Sequence, residues 1–123
     1  MVKPIKNFQD LEIYQLSVNL ALDVYRFCDK IPQKEKYNII DQLIRATSSI
    51  GANIAEGFGR YHKKEFIQYL YISRGSLMEV LHFLILSNRL GYLENNELSK
   101  FDDKIVTLGV KINNLINAIN NHK

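Results

Sequence analysis

The 123-residue chain has little of what punctuates or cross-links a protein: one cysteine, Cys28, no tryptophan, two prolines and six glycines. A lone cysteine cannot close an intramolecular disulfide, so a reducing, cytoplasmic setting is expected. So few prolines and glycines leave few turns, which argues against a many-stranded β protein. An excess of one charge is missing too. Sixteen Lys and Arg stand against thirteen Asp and Glu, for a formal +3, with 46% hydrophobic and 24% charged residues. That balance excludes a polycation, a collagen and a disordered tail. Continuous apolar runs stop at a few residues, as in Phe83-Leu84-Ile85-Leu86, against the roughly 20 that cross a bilayer. No charged start leads into an apolar leader segment. No membrane partner is expected, and the length suits one domain over residues 1–123.

What is present is helical periodicity. The prolines and glycine clusters divide the chain into segments at about 8–30, 33–58, 62–90 and 95–121. The first opens near Asn7 or Asp10, both competent N-caps, and carries Leu11, Tyr14, Val18, Ala21, Tyr25 and Cys28 at alternating spacings of three and four. It stops at Ile31-Pro32, because the residue before proline is pushed out of the α region, and Pro32 suits the first turn of the next helix. The second segment places Ile40, Leu43, Thr47, Ile50 and Ile54 on one face, and Gly57 and Gly59 supply a C-cap. The third offers two adjacent stripes: Phe66, Leu70, Ser73, Leu77, Val80 and Leu84, then Ile67, Tyr71, Met78, Leu81 and Ile85. An apolar surface that wide belongs to a helix that packs inside its own bundle and also against another chain. The fourth runs Leu98, Phe101, Ile105, Leu108, Ile112, Leu115 and Ile119. Four amphipathic helices with short connections bury their seams only against one another, so the expected fold is all-α, an antiparallel up-down-up-down four-helix bundle. Helices of this size would be about 35 to 44 Å long. Interior Gly51, Gly75 and Gly109 predict close backbone approach, with Gly75 level with Ala46 and Gly109 at a narrow waist.

Catalytic and metal constellations are incomplete. Glu79 and His82 form Glu-x-x-His, but a di-iron bundle needs a second such motif and two more inward glutamates. His62 and His122 lie at a turn and at the terminus. Cys28 sits on an apolar seam with no histidine placed to activate it. Gly57-x-Gly59 lacks the remaining residues of a phosphate loop. No metal, no cofactor and no enzymatic activity are expected.

The strongest polar feature is the second segment with its turn. Arg45, Ser49, Asn53 and Glu56 recur every three or four residues on one face, and Ser76 and Glu79 of the third segment fall near their level. These six are the expected polar network, with an Arg45–Glu79 pair bridging two helices. Residues 30–64 hold seven basic and three acidic residues, a local +4 that leaves −1 for the rest of the chain. Arg60, His62, Lys63 and Lys64 cluster where a helix begins, against its dipole. Tyr37, Phe58 and Tyr61 are interleaved with these charges, as aromatics that stack on bases are in single-strand binders. Arg45, Arg60, Tyr61, Lys63 and Lys64 are therefore the candidate nucleic-acid contacts.

Phe8, Leu11, Tyr14, Ile31-Pro32, Glu35, Tyr37, Gln42-Leu43-Ile44-Arg45-Ala46, Ser49-Ile50, Asn53-Ile54-Ala55-Glu56-Gly57 and Arg60 resemble the 23S rRNA-intervening sequence protein family. Glu65-Phe66, Leu70, Gly75-Ser76-Leu77, Glu79 and Leu90-Gly91-Tyr92-Leu93 extend the resemblance over nearly the whole chain. It implies a bacterial four-helix bundle of unsettled molecular function that forms a ring-shaped homo-oligomer, a pentamer. It also implies kinship with the accessory variability protein of diversity-generating retroelements, which binds its reverse transcriptase and nucleic acid. Ile44-Arg45 replaces the family's frequent Arg-Arg, which weakens a nucleic-acid role for that pair. Gly51 replaces a frequent proline, giving a straighter helix, and Tyr14 a favoured tryptophan. The chain is thus expected to self-associate and to bind RNA or another nucleic acid through basic surface. The alternative is an oligomeric scaffold for a protein partner, such as a reverse transcriptase or a ribosome-associated protein.

Overall fold

A computed structural model describes residues 4–121, in which the helices are α1 (Glu12–Cys28), α2 (Asp41–Phe58), α3 (Lys63–Arg89) and α4 (Asn95–Asn121). His122 lies outside the described residues. α2 packs against α3 and α1, and α4 packs against α3 and α1, so each helix touches its two sequence or ring neighbours in an all-α, up-down bundle with no strand among the described residues. Leu43, Ile50, Ile54, Leu70, Leu77, Leu84, Ile105, Leu108 and Ile112 fill the axis and are fully buried.

The first two helices are shorter than the periodicity predicts. Asn7 does cap a helix, but a short 3₁₀ turn, Phe8–Asp10: its side chain accepts from the Gln9 amide at 3.1 Å, and Asp10 reaches back to the Asn7 amide at 3.2 Å. Leu11 is extended, and α1 starts after it. After Pro32 the chain makes a 3₁₀ turn, Gln33–Glu35, and a π turn, Lys36–Ile40, before α2 begins. By rise per residue, α1 and α2 are therefore about 26 Å long and α3 and α4 about 40 Å.

The seam of α1 also differs from the expected one. Its buried side chains are Ile13, Ser17, Leu20, Val24, Phe27 and Cys28, while Tyr14, Val18 and Ala21 are half-buried and Tyr25 is exposed. Two apolar stripes run side by side on this helix, and the one centred on Leu20 and Val24 faces the axis. The other flanks a groove over Ser48, Gly51, Ala52 and Ala55 of α2. In α3 the first expected stripe is buried from Leu70 to Leu84, whereas Tyr71, Met78 and Ile85 of the second stay exposed. By length and composition α3 is apolar enough to cross a bilayer, and only 33% of its most apolar stretch is buried. Continuous runs conceal this, because isolated polar residues interrupt them.

No waist forms at Gly75. It faces outward, a Cβ there would meet nothing within 4 Å, and at Gly109 it would make an ordinary 3.6 Å contact with Leu77. The close approaches are at Gly51, as expected, where an added Cβ would lie 2.9 Å from Ser17 Oγ of α1, and at Gly57, where it would lie 2.5 Å from Tyr69 Cβ and 3.1 Å from Phe66. Around it α2 and α3 are stitched by Ser73, which donates to the Ile50 carbonyl at 2.9 Å in the buried interior. At the other end Gly91 takes a φ of 86°, which lets the Tyr92 amide reach back to the Ser87 carbonyl at 2.9 Å and the Gly91 amide to Asn88 at 3.0 Å, closing α3 in a Schellman motif. Cys28 is a packed thiol that burial pushes up to about 11, so it is a poor nucleophile near neutral pH.

Gly75→Ala should stabilise the fold by about 0.5–1 kcal/mol, because it removes a flexible residue from an exposed helix interior without a clash. Gly57→Ala should destabilise it by at least about 1 kcal/mol, by wedging α2 off Tyr69. Urea denaturation measures both, and the same sign for the two would contradict the placement of the close approach.

Candidate nucleic-acid interface

α2 ends at Phe58 with the Gly59 amide donating back to the Ala55 and Glu56 carbonyls, both at 3.2 Å. Three residues after Gly59, His62 is extended and α3 begins with Lys63, so the chain reverses within a tight corner. Phe58 is turned inward and packs edge-on against Phe66 at 5.9 Å, which removes it from the candidate stacking aromatics. Tyr61 projects outward, 94% exposed, with Lys63 and Lys64 beside it.

Arg60 is held rather than free. It donates to Glu56 at 3.2 Å and to the Tyr69 hydroxyl at 2.6 Å, and its guanidinium lies 5.0 Å from the centre of the Tyr69 ring. The Tyr69 hydroxyl, followed by Arg60, keeps the Glu56 carboxyl below its ordinary range, and Glu56 raises both Arg60 and the Tyr69 phenol. Tyr69 is a residue that the sequence reading missed. Its signal was Gly57: across an antiparallel corner the residue opposite a helix-interior glycine is the one seated on it.

The expected polar network divides into four parts. Asn53 donates to the Ser49 carbonyl at 2.8 Å and to its hydroxyl at 2.9 Å, and Ser76 donates to the Ser49 hydroxyl at 3.0 Å, so these three meet across α2 and α3. Glu56 belongs to the Arg60–Tyr69 group. Arg45 does not reach Glu79; it pairs with Asp41 one turn back on its own helix at 3.1 Å, and Glu79 stands exposed with no ion pair among the described residues. The reason is azimuth: Arg45 lies on the solvent side of α2, while the side facing α3 carries Ser49 and Asn53.

The basic run 30–64 is likewise divided. Lys30, Lys34 and Lys36 sit before α2, and Arg60, Lys63 and Lys64 after it, so about 27 Å of helix separates them. Arg45 belongs to the first end, as does exposed Tyr37, over whose ring Lys36 lies at 5.4 Å. Arg60, Tyr61, Lys63 and Lys64 are the candidates that the fold brings together. Glu79 and His82 are both exposed, and no cluster of three or more His, Cys, Asp or Glu gathers among the described residues.

The fold is similar to the crystal structure of a protein with unknown function from the S23 ribosomal protein family of Bacteroides thetaiotaomicron. The TM-score is 0.79 at 21% identity, covering 85% of this chain and 95% of that one, so the likeness is one of fold. No curated protein gives a significant match. The family model of the 23S rRNA-intervening sequence protein matches residues 9–114, from the turn before α1 well into α4 and through the Gly57–Tyr69 corner. With nearly the whole bundle covered by that match, the chain belongs to the 23S rRNA-intervening sequence protein family.

Proposed function

We propose that this chain is a cytoplasmic, non-enzymatic bundle that self-associates and docks RNA at the α2–α3 corner. The observation that carries the nucleic-acid reading is the corner itself: an outward aromatic, Tyr61, flanked by Lys63 and Lys64 and by an arginine whose plane is fixed on Tyr69. Lysines at the start of a helix oppose its dipole, and phosphates would relieve that cost. Such contacts position a phosphate backbone and leave its sequence unread, while Tyr61 offers a face for an unpaired base. Arg45, tied to Asp41 at the far end, is outside this surface.

Self-association rests on α3. Tyr71, Met78 and Ile85 follow one another at seven-residue intervals along its outer side, 45%, 49% and 40% exposed, as a seam for a second helix does. Val106 and Val110 extend the exposed apolar surface onto α4. The family resemblance supports five copies. The same seam also supports the second reading, a scaffold whose partner is a different protein.

Lys63→Glu with Lys64→Glu should lower affinity for a single-stranded RNA more than about tenfold at low salt, and wild-type affinity should fall with salt at a log–log slope of about −2. Fluorescence anisotropy measures both; unchanged affinity would reject the corner. Sedimentation should give about 72 kDa, five copies of the 14.3 kDa chain, and Met78→Glu with Ile85→Glu should return a helical monomer. A wild-type monomer would reject self-association, and RNA affinity that does not fall with salt would favour the scaffold for a protein partner.

A further inference from the structure

At the end of the bundle away from the Tyr61 corner, Arg26 and Lys30 at the end of α1 meet Lys100 and Lys104 at the start of α4 around a hollow of about 230 Å³. These four cations come from segments some seventy residues apart in sequence, and antiparallel packing of α1 on α4 brings them together. The floor is apolar: Phe27 and Phe101 are both buried, with ring centres 6.2 Å apart. Two carboxylates share the hollow. Asp23 is held by Arg26 at 3.3 Å and by Lys104, and Glu97 faces Lys30 at 3.8 Å. Lys100 has no ion pair among the described residues.

Four cations against two carboxylates leave a surplus of two positive charges in one small space. A single carboxylate ligand would neutralise half of it. A phosphomonoester carries about −1.5 to −2 at pH 7 and presents three acceptor oxygens, enough to take donors from both walls at once. Arg26 supplies a planar fork on one wall, and Lys100 a mobile point charge on the other. The volume lies below the roughly 300 Å³ at which drug-sized pockets begin, so it suits a phosphate with an attached sugar, and a base carried on that sugar would project out through the open side. The ring edges of Phe27 and Phe101 would meet the carbon side of that sugar. We propose that the α1–α4 hollow is a binding site for a phosphomonoester dianion carried on a sugar. It is independent of the corner bearing Lys63 and Lys64, which lies beyond the length of α2.

The shared chemistry has two sources, a free sugar phosphate or mononucleotide and the phosphorylated 5′ end of an RNA. The test is titration of isotope-labelled protein at low salt with AMP, ribose 5-phosphate and adenosine, followed by amide chemical shifts. AMP and ribose 5-phosphate should shift residues 23–30 and 97–104 saturably, and adenosine should not. Lys100→Glu and Arg26→Glu, both at exposed positions, should each weaken AMP by about tenfold or more, while Lys64→Glu at the other end should change it less than about twofold. A short RNA whose 5′ phosphate, compared with a 5′ hydroxyl, improves binding and displaces AMP would identify the RNA end as the source. Equal binding of the two RNAs alongside tight AMP binding would identify the free ligand. Absence of saturable shifts by about 5 mM AMP, equal binding of adenosine, or equal damage from Lys64→Glu and Lys100→Glu would overturn the proposal.

Discussion

Everything distinctive in this bundle follows from how closely α3 lies on α2. Gly57 leaves room for Tyr69 to sit on the α2 backbone, Ser73 donates to the Ile50 carbonyl inside the core, and Ser76 meets Ser49 a turn away. These contacts fix axial register and azimuth together. The Ser73 bond is buried and shielded from solvent, whereas an exposed ion pair is screened by it. By contrast, α1 is joined to α4 at its edges by Lys104–Asp23 and Lys111–Glu12, exposed pairs worth about 0–1 kcal/mol each. Apolar burial, rather than charge, holds that side together.

Two surface features depend on this register. With α3 turned so that Leu70, Leu77 and Leu84 face the axis, Tyr71, Met78 and Ile85 are left facing outward as an exposed apolar seam. Seating Tyr69 on Gly57 also places its hydroxyl and ring under Arg60, which converts a flexible surface arginine into a fixed donor beside Tyr61. Formal charge follows the same geometry. The +4 of residues 30–64 looks like one basic surface in the linear chain, and becomes two ends of a rod once α2 runs between its halves.

How much of this could be read from sequence depended on whether one coordinate or two were needed. The seams of α3 and α4 were legible, because a single run of three- and four-residue spacings fixes which side of a long helix is buried. In α1 two stripes of similar apolarity lie one residue apart, and periodicity cannot choose between Tyr14-Val18-Ala21 and Leu20-Val24-Phe27. The axial level of Gly75 could be counted from the turns, but its azimuth could not, so of the three interior glycines Gly51 makes the expected close approach and Gly75 does not. Arg45 and Glu79 failed for the same reason: equal height, different sides. The gathering of Arg26, Lys30, Lys100 and Lys104 was out of reach for any window of the chain, since it exists only once α1 and α4 are packed.

If the α2–α3 pairing is the frame on which the rest is built, its amides open last. Native-state hydrogen exchange followed residue by residue measures this directly, because the slowest amides report the most stable cooperative unit. The slowest set should fall in Leu43–Gly57 and Leu70–Leu84, with α1 and α4 exchanging through smaller openings. A slowest set in α1 and α4, with α2 and α3 exchanging first, would contradict the account.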